Sequence, residues 1–126
     1  MNNQPERKKI LLLEDDSFFA DLFRGLIEEA EFECVWVRSI SAFWQTFDPR
    51  EFIALIVDNE VVGGSFIDEH NIGRIREMSL EIPIALSSGF SQKGVASKYK
   101  CEETNKDLDK LRDFLRKLQI YHTPHK

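Results

Sequence analysis

Two short apolar runs dominate the pattern of hydrophobic and polar positions. Ile53–Val57 reads Ile-Ala-Leu-Ile-Val and ends abruptly in Asp58, and Ile10–Leu13 ends in an acidic triplet that begins with Glu14. A short apolar run without alternation is typical of a strand that helices cover on both faces of a parallel sheet. We therefore expect two buried strands, each followed directly by carboxylates.

The rest of the pattern alternates between helical and strand periodicity, apart from a glycine-containing loop at Val61–Ser65. We predict strands at Lys8–Leu13, Phe32–Val37, Ile53–Val57, Ile82–Leu86 and Val95–Tyr99, and helices at Ser17–Ala30, around Ile40–Phe47, around Phe66–Met78 and roughly at Asn105–Gln119. The polar stretch Phe90–Thr104 gives no full helix. Such an alternation predicts a doubly wound α/β fold, a five-stranded parallel sheet with helices on both faces and a missing or shortened fourth helix.

Length, charge and cysteine spacing exclude several classes of protein. The length of 126 residues fits one domain at 8–120, with a disordered lead-in at 1–7 and a tail at 121–126. The net charge of -5 argues against a nucleic-acid partner, and no apolar stretch predicts a membrane span or a signal peptide. Cys34 and Cys101 show no metal-binding spacing, which is typical of a reducing, cytoplasmic location.

The candidate functional residues are those that directly follow the predicted strands, because ligands bind beyond the carboxyl ends of parallel strands. Glu14 and Asp15 would hold a hard cation such as Mg²⁺ (or Mn²⁺). Asp58 would be both a ligand and a nucleophile that takes a phosphoryl group. Ser88, which ends the fourth strand, and a lysine after the fifth strand would contact phosphoryl oxygens. Asp16 and Ser17 are better explained as the N-cap of the first helix.

This arrangement resembles the receiver domain of bacterial two-component response regulators. Ile10–Asp16 looks like its first strand and acidic pair, and Phe52–Asp58 looks like the strand that leads to the phosphoacceptor. Ile82–Gly89 is similar to the strand that ends in the switch hydroxyl, which is Ser88 with Ser87 as a rival. The resemblance implies metal ligation by Glu14, Asp15, Asp58 and the backbone carbonyl of Glu60.

The chain also departs from that family's pattern. An acidic side chain, Glu60, stands two residues after Asp58, in a lengthened loop. Lys98 follows Ser88 by only ten positions, and the site lysine is either Lys98 or Lys100.

The resemblance implies a stand-alone domain that accepts phosphate on Asp58 from a sensor histidine kinase or phosphotransfer protein. It would signal through a downstream effector protein, with no turnover beyond its own phosphorylation and dephosphorylation. One alternative is a pseudo-receiver that binds proteins without phosphorylation. A remote alternative is a toprim-like metal-dependent nucleic-acid enzyme, from Glu14 and Asp58-Asn-Glu60.

Overall fold

The computed structural model describes residues 7–122, and its centre is a parallel sheet of five strands in the order β2-β1-β3-β6-β7. The predicted doubly wound fold is confirmed. The chain runs in this order: β1 Lys9–Leu13, α1 Ser17–Glu29, β2 Glu33–Val37, α2 Ile40–Thr46, β3 Phe52–Val57, β4 Glu60–Val61, β5 Gly64–Ser65, α3 Glu69–Met78, β6 Ile84–Leu86, α4 Lys93–Tyr99, β7 Glu102–Glu103 and α5 Leu108–His122.

The central strands are buried on both faces, as their unbroken apolar sequences predict. Leu11 and Leu13 of β1 pack into one core cluster, with side chains of α2, α3 and α4. Ile10 and Leu12, which point the other way, pack with α1 and α5 in a second cluster. The period of two along a strand therefore divides one apolar run between two cores.

The loop predicted at Val61–Ser65 is a small antiparallel hairpin formed by β4 and β5. Gly63 lies in its turn and Gly64 begins β5, with φ values of +105° and +125°, a region that favours glycine. The hairpin is tied to the start of α2, because the Ile40 N–H donates to the Val62 carbonyl at 3.0 Å. The lengthened segment after β3 is therefore ordered beside the carboxyl end of the sheet.

The segment between β6 and α5 contains the largest correction. The strand predicted at Val95–Tyr99 is wrong, because these residues belong to helix α4. Val95 and Tyr99 are four residues apart, which places them on one helix face, and both pack against the core. The fourth helix is thus shortened to seven residues, and the last strand of the sheet is only Glu102–Glu103.

The ends of the chain also differ from expectation. Helix α5 begins at Leu108 rather than Asn105 and continues to His122, so Tyr121 and His122 are helical rather than part of a tail. The rest of that tail, residues 123–126, and residues 1–6 of the predicted disordered lead-in lie outside the described residues. No helix in the described range is long and apolar enough to cross a bilayer.

Candidate phosphoacceptor and metal site

Backbone hydrogen bonds bring the acidic strand ends together. The Glu14 N–H donates to the Val37 carbonyl at 3.1 Å, and the Asp58 N–H donates to the Leu13 carbonyl at 3.0 Å. The ladders of β1 with β2 and of β1 with β3 thus continue for one residue beyond the strands. Glu14 and Asp58 are consequently neighbours, although 44 positions separate them in the sequence.

Three carboxylates meet at this edge of the sheet. One oxygen from each of Glu14, Asp15 and Asp58 lies within 4.8 Å of the others. Glu14 is fully buried, whereas Asp58 is 8% exposed. The group therefore carries three negative charges in a small volume, and oxygen is the donor that Mg²⁺ and Mn²⁺ prefer. The residues present fit a hard divalent cation.

The lysine that contacts Asp58 is Lys106, which the sequence reasoning missed. Its Nζ lies 2.7 Å from Glu14 Oε1 and 3.1 Å from Asp58 Oδ2. The expectation that Lys98 or Lys100 reaches Asp58 is wrong. Lys98 is on α4, where it pairs with Glu69 at 2.7 Å, and Lys100 caps the end of that helix. Because the residues predicted to form the last strand are helical, they do not deliver a side chain to the carboxyl end of the sheet.

A left-handed turn between β7 and α5 directs Lys106 inward. Asn105 and Lys106 have φ values of +49° and +59°, a conformation that costs roughly 1 kcal/mol for a residue with a Cβ. Two backbone bonds fix the turn: Asn105 N–H donates to the Leu86 carbonyl at 3.1 Å, and Asp107 N–H donates to the Thr104 carbonyl at 2.8 Å. The turn therefore places a lysine where the last strand itself supplies none.

Burial and charge act on both partners of the Lys106 ion pairs. Burial raises the pKa of Glu14, and the negative charge of Asp58 raises it further. Hydrogen bonds from Lys106 Nζ and the Asp16 N–H lower this pKa but do not cancel the rise. Burial alone would lower the pKa of Lys106, but its hydrogen bonds and the charges of Glu14 and Asp58 outweigh burial and raise it. Lys106 is therefore a permanent cation near neutral pH, and it offsets only part of the cost of burying Glu14.

The carboxylates open into a pocket of about 440 Å³ at the carboxyl end of the sheet. Ser88 lines this pocket, together with Glu60 and Phe90. The buried Ser88 Oγ accepts a hydrogen bond from the Phe90 N–H at 3.1 Å, so its own hydrogen remains available for another acceptor. Its rival Ser87 does not line the pocket. Glu60 is exposed at the rim, which leaves its carboxylate in water.

Comparisons with solved structures agree with this architecture. The non-phosphorylated receiver domain of HemR from Leptospira biflexa superposes with a TM-score of 0.76 at 17% identity, covering 95% of this chain and 100% of that one. The response regulator TrrA from Thermotoga maritima, solved in complex with Mg²⁺–BeF, gives a TM-score of 0.73 at 21% identity and coverages of 88% and 98%. A CheY-like receiver domain from Methylobacillus flagellatus gives 0.71 at 20% identity and coverages of 90% and 99%. The chain has the response regulator receiver fold. No protein-family model and no curated protein sequence matches it.

Two side chains donate hydrogen bonds to the backbone carbonyls of Glu14 and Asp15. Trp36 Nε1 donates to the Glu14 carbonyl at 2.6 Å, and Arg38 Nη2 donates to the Asp15 carbonyl at 3.0 Å. The Arg38 guanidinium also lies 5.2 Å from the centre of the Trp36 ring. Trp36 lies in β2, the strand beside β1, and Arg38 directly follows that strand, so their proximity to Glu14 and Asp15 follows from the strand order. The alternation of Phe32–Val37 identifies this strand but does not reveal that Trp36 supports Glu14.

Proposed function

We propose that this domain accepts a phosphoryl group on Asp58 from the phosphohistidine of a sensor kinase or phosphotransfer protein. The contact between Lys106 and Asp58 inside an open, acidic pocket carries the proposal. The ammonium lies against the carboxylate oxygen Oδ2, while the other oxygen, Oδ1, accepts from the Asn59 N–H at 2.7 Å. These donors fix the orientation of the carboxylate, which is the first requirement for in-line attack.

In this reaction a carboxylate oxygen of Asp58 forms a bond to phosphorus as the bond from phosphorus to the imidazole nitrogen breaks. The imidazole leaves and takes a proton from solvent. Lys106 neutralises charge on the transferred group, and Ser88 donates its hydroxyl hydrogen to a phosphoryl oxygen. Glu14, Asp15, Asp58 and the Glu60 backbone carbonyl would hold Mg²⁺ (or Mn²⁺), which neutralises phosphoryl oxygens when it is bound.

The charge of the pocket supports the metal requirement. Three carboxylates against one ammonium leave a net charge of about -2, which would repel an anionic phosphodonor. A divalent cation cancels that charge. The structural neighbour solved with Mg²⁺–BeF shows that a domain of this fold binds a metal and a phosphoryl mimic together.

The test is incubation of the protein with acetyl phosphate and MgCl₂, followed by intact-mass spectrometry. We expect the mass of one added phosphoryl group, which disappears in the Asp58→Asn variant. Asp113→Asn is the matched control, because Asp113 is an exposed aspartate on α5 that pairs only locally with Arg116. Absence of a mass gain, together with no Asp58-dependent NMR change on adding beryllofluoride and Mg²⁺, would refute the proposal.

The second candidate is a phosphorylation-independent scaffold, which the shortened α4 favours. A helix of seven residues and a last strand of two residues leave less secondary structure on one side of the sheet. In that case Lys106 serves to neutralise buried acids rather than to assist phosphoryl transfer. The same mass experiment separates the two functions, because a scaffold gains no phosphoryl group.

A further inference from the structure

The ammonium of Lys106 lies over an aromatic ring as well as between two carboxylates. Its Nζ is 4.3 Å from the centre of the Phe19 ring and 5.9 Å from that of Phe23. A cation within about 6 Å of a ring face is attracted by the ring quadrupole. The first of these distances lies well inside that limit, and Phe19 also lines the pocket.

The helix cap and two neighbouring rings place the Phe19 ring at the start of α1. The Asp16 side chain caps this helix and accepts from the N–H groups of Phe18 and Phe19, at 2.8 and 3.4 Å. The Phe19 ring also packs against Phe18 and Phe23, with ring centres 5.5 and 5.8 Å apart. These contacts place the Phe19 ring in the wall of the pocket, where the flexible side chain of Lys106 lies over it.

The carboxylates would hold Lys106 less strongly when a divalent cation is bound than when the site is free of metal. A divalent cation bound to Glu14 and Asp58 would compete with the ammonium for the same oxygens and would repel it. The attraction to Phe19 does not depend on those oxygens. The attraction between the ammonium and the ring therefore persists when a divalent cation binds the carboxylates.

We propose that Phe19 is a positioning residue, which keeps the Lys106 ammonium beside Asp58 while a divalent cation occupies the carboxylates. The proposal rests on the proposed function for its kinetic consequence, but its structural and metal-binding consequences are independent of phosphorylation. Phe19 acts only through Lys106 and takes no part in bond making.

Removal of the ring is expected to move two measurements in opposite directions. In Phe19→Leu the ammonium keeps its ion pairs but loses its contact with the ring, so an incoming cation displaces it more easily and Mg²⁺ binds roughly two- to fivefold more tightly. The rate of phosphorylation by acetyl phosphate at saturating Mg²⁺ falls, by about three- to tenfold, since the ammonium spends less time beside Asp58. General loosening of the site would instead weaken metal binding and slow transfer together.

The experiment compares the wild-type chain with Phe19→Leu, Phe19→Tyr and Phe18→Leu. Phe19→Tyr keeps an aromatic face, so its Mg²⁺ affinity and its phosphorylation rate should both be close to those of the wild type. Phe18 is the matched control: it is 65% exposed and contacts the Phe19 ring edge to face, so its replacement should change both values less than loss of the Phe19 ring does. Mg²⁺ affinity is measured by calorimetry, and the transfer rate by intact mass. Should Phe19→Leu fail to fold, Phe19→Met, which has a similar volume and no ring, replaces it.

NMR of the Lys106 side chain gives a third measurement that needs neither metal nor phosphate. The ring current of Phe19 shifts the methylene protons next to Nζ upfield in the wild type and in Phe19→Tyr, and this shift is lost in Phe19→Leu. An unchanged shift in Phe19→Leu, a fall in both metal affinity and rate, or equal effects in Phe18→Leu would overturn the proposal. If the wild type takes no phosphate, the proposed function fails, while the NMR and metal measurements still decide the role of Phe19.

Discussion

Replacing Lys106 with methionine tests the electrostatics of the pocket most directly. Methionine keeps much of the apolar stem of the side chain but removes the ammonium. Glu14 is fully buried and bonds to this ammonium at 2.7 Å, and Asp58 bonds to it at 3.1 Å. The variant therefore leaves two close carboxylates without their counter-ion.

The expected loss of stability follows from the burial of the pair. Removing one partner of a buried ion pair typically costs about 3–5 kcal/mol, because an uncompensated charge remains in the interior. The Lys106 side chain is 19% exposed at an open pocket, so water offsets part of this cost. We expect a loss of about 2–3 kcal/mol in the free energy of unfolding without metal, and a Tm lower by roughly 10 °C.

Mg²⁺ should reverse much of this loss, since it can supply the missing positive charge. A cation that binds only the folded state stabilises it in proportion to the logarithm of its concentration over Kd. If Lys106→Met binds Mg²⁺ tenfold more tightly than the wild type, saturating metal restores about 1.4 kcal/mol relative to the wild type. The assay is urea unfolding followed by circular dichroism, with chelator and with a series of Mg²⁺ concentrations.

The matched control is Lys98→Met. Lys98 also forms a short ion pair, with Glu69 at 2.7 Å, but both side chains are more than half exposed. Such pairs contribute about 0–1 kcal/mol, so this variant should unfold almost as the wild type does, at all Mg²⁺ concentrations. The electrostatic reasoning would be refuted if Lys106→Met were as stable as Lys98→Met in chelator, or if Mg²⁺ stabilised the two variants equally.

Three further expectations concern the surroundings of the site. Asp16→Ala removes the cap of α1 and should lower stability by about 1 kcal/mol in urea unfolding. Glu103→Ala removes the carboxylate that accepts from the Gln92 N–H, so hydrogen exchange at Gln92 should quicken, whereas unchanged exchange would contradict that role. Burial raises the pKa of Cys34 to about 12 and that of Cys101 to about 11, so iodoacetamide at mildly alkaline pH should modify both far more slowly in the native protein than in urea.

The parts of the fold that could be predicted from sequence are those with long apolar runs. Ile10–Leu13 and Ile53–Val57 identify the central strands, and the residues directly after them supply the carboxylates. Because neighbouring parallel strands end at the same edge of a sheet, Glu14 and Asp58 could be expected to meet. The carboxylate cluster was therefore predictable from local patterns and one rule of topology.

The lysine could not be found in the same way, because the last strand has no apolar signal. Glu102 and Glu103 form the whole of that strand, and neither is typical of a buried strand. Lys106 then reaches the pocket through a left-handed turn rather than from a strand end. The available signal was Asp107, whose side chain caps α5 by accepting from the Asp109 N–H at 2.9 Å and so moves the helix start beyond Lys106.

The two sides of the sheet are stabilised by different means, and this difference bears on how the domain could transmit a signal. Continuous apolar packing buries β1 and β3, whereas α4 packs a short apolar face against the core and is also joined to its neighbours by polar contacts. Arg76 of α3 donates to the carbonyls of Tyr99 and Ile82, each at 2.7 Å, and of Lys100 at 3.1 Å, so one side chain joins α3, the start of β6 and the end of α4. Polar contacts of this kind open at a lower free energy than a packed core.

We therefore expect α4 and β7 to open from the sheet before the carboxylates at the ends of β1 and β3 move apart. Native-state hydrogen exchange tests the order, since amides of α4 should exchange through an opening of lower free energy than amides of β1. The Arg76→Lys variant keeps the charge but loses the planar fork that reaches several carbonyls. It should therefore speed exchange in α4 and leave β1 nearly unchanged. Equal acceleration in both elements would show that the sheet opens as one unit, which would leave no separate element for a modification at Asp58 to shift.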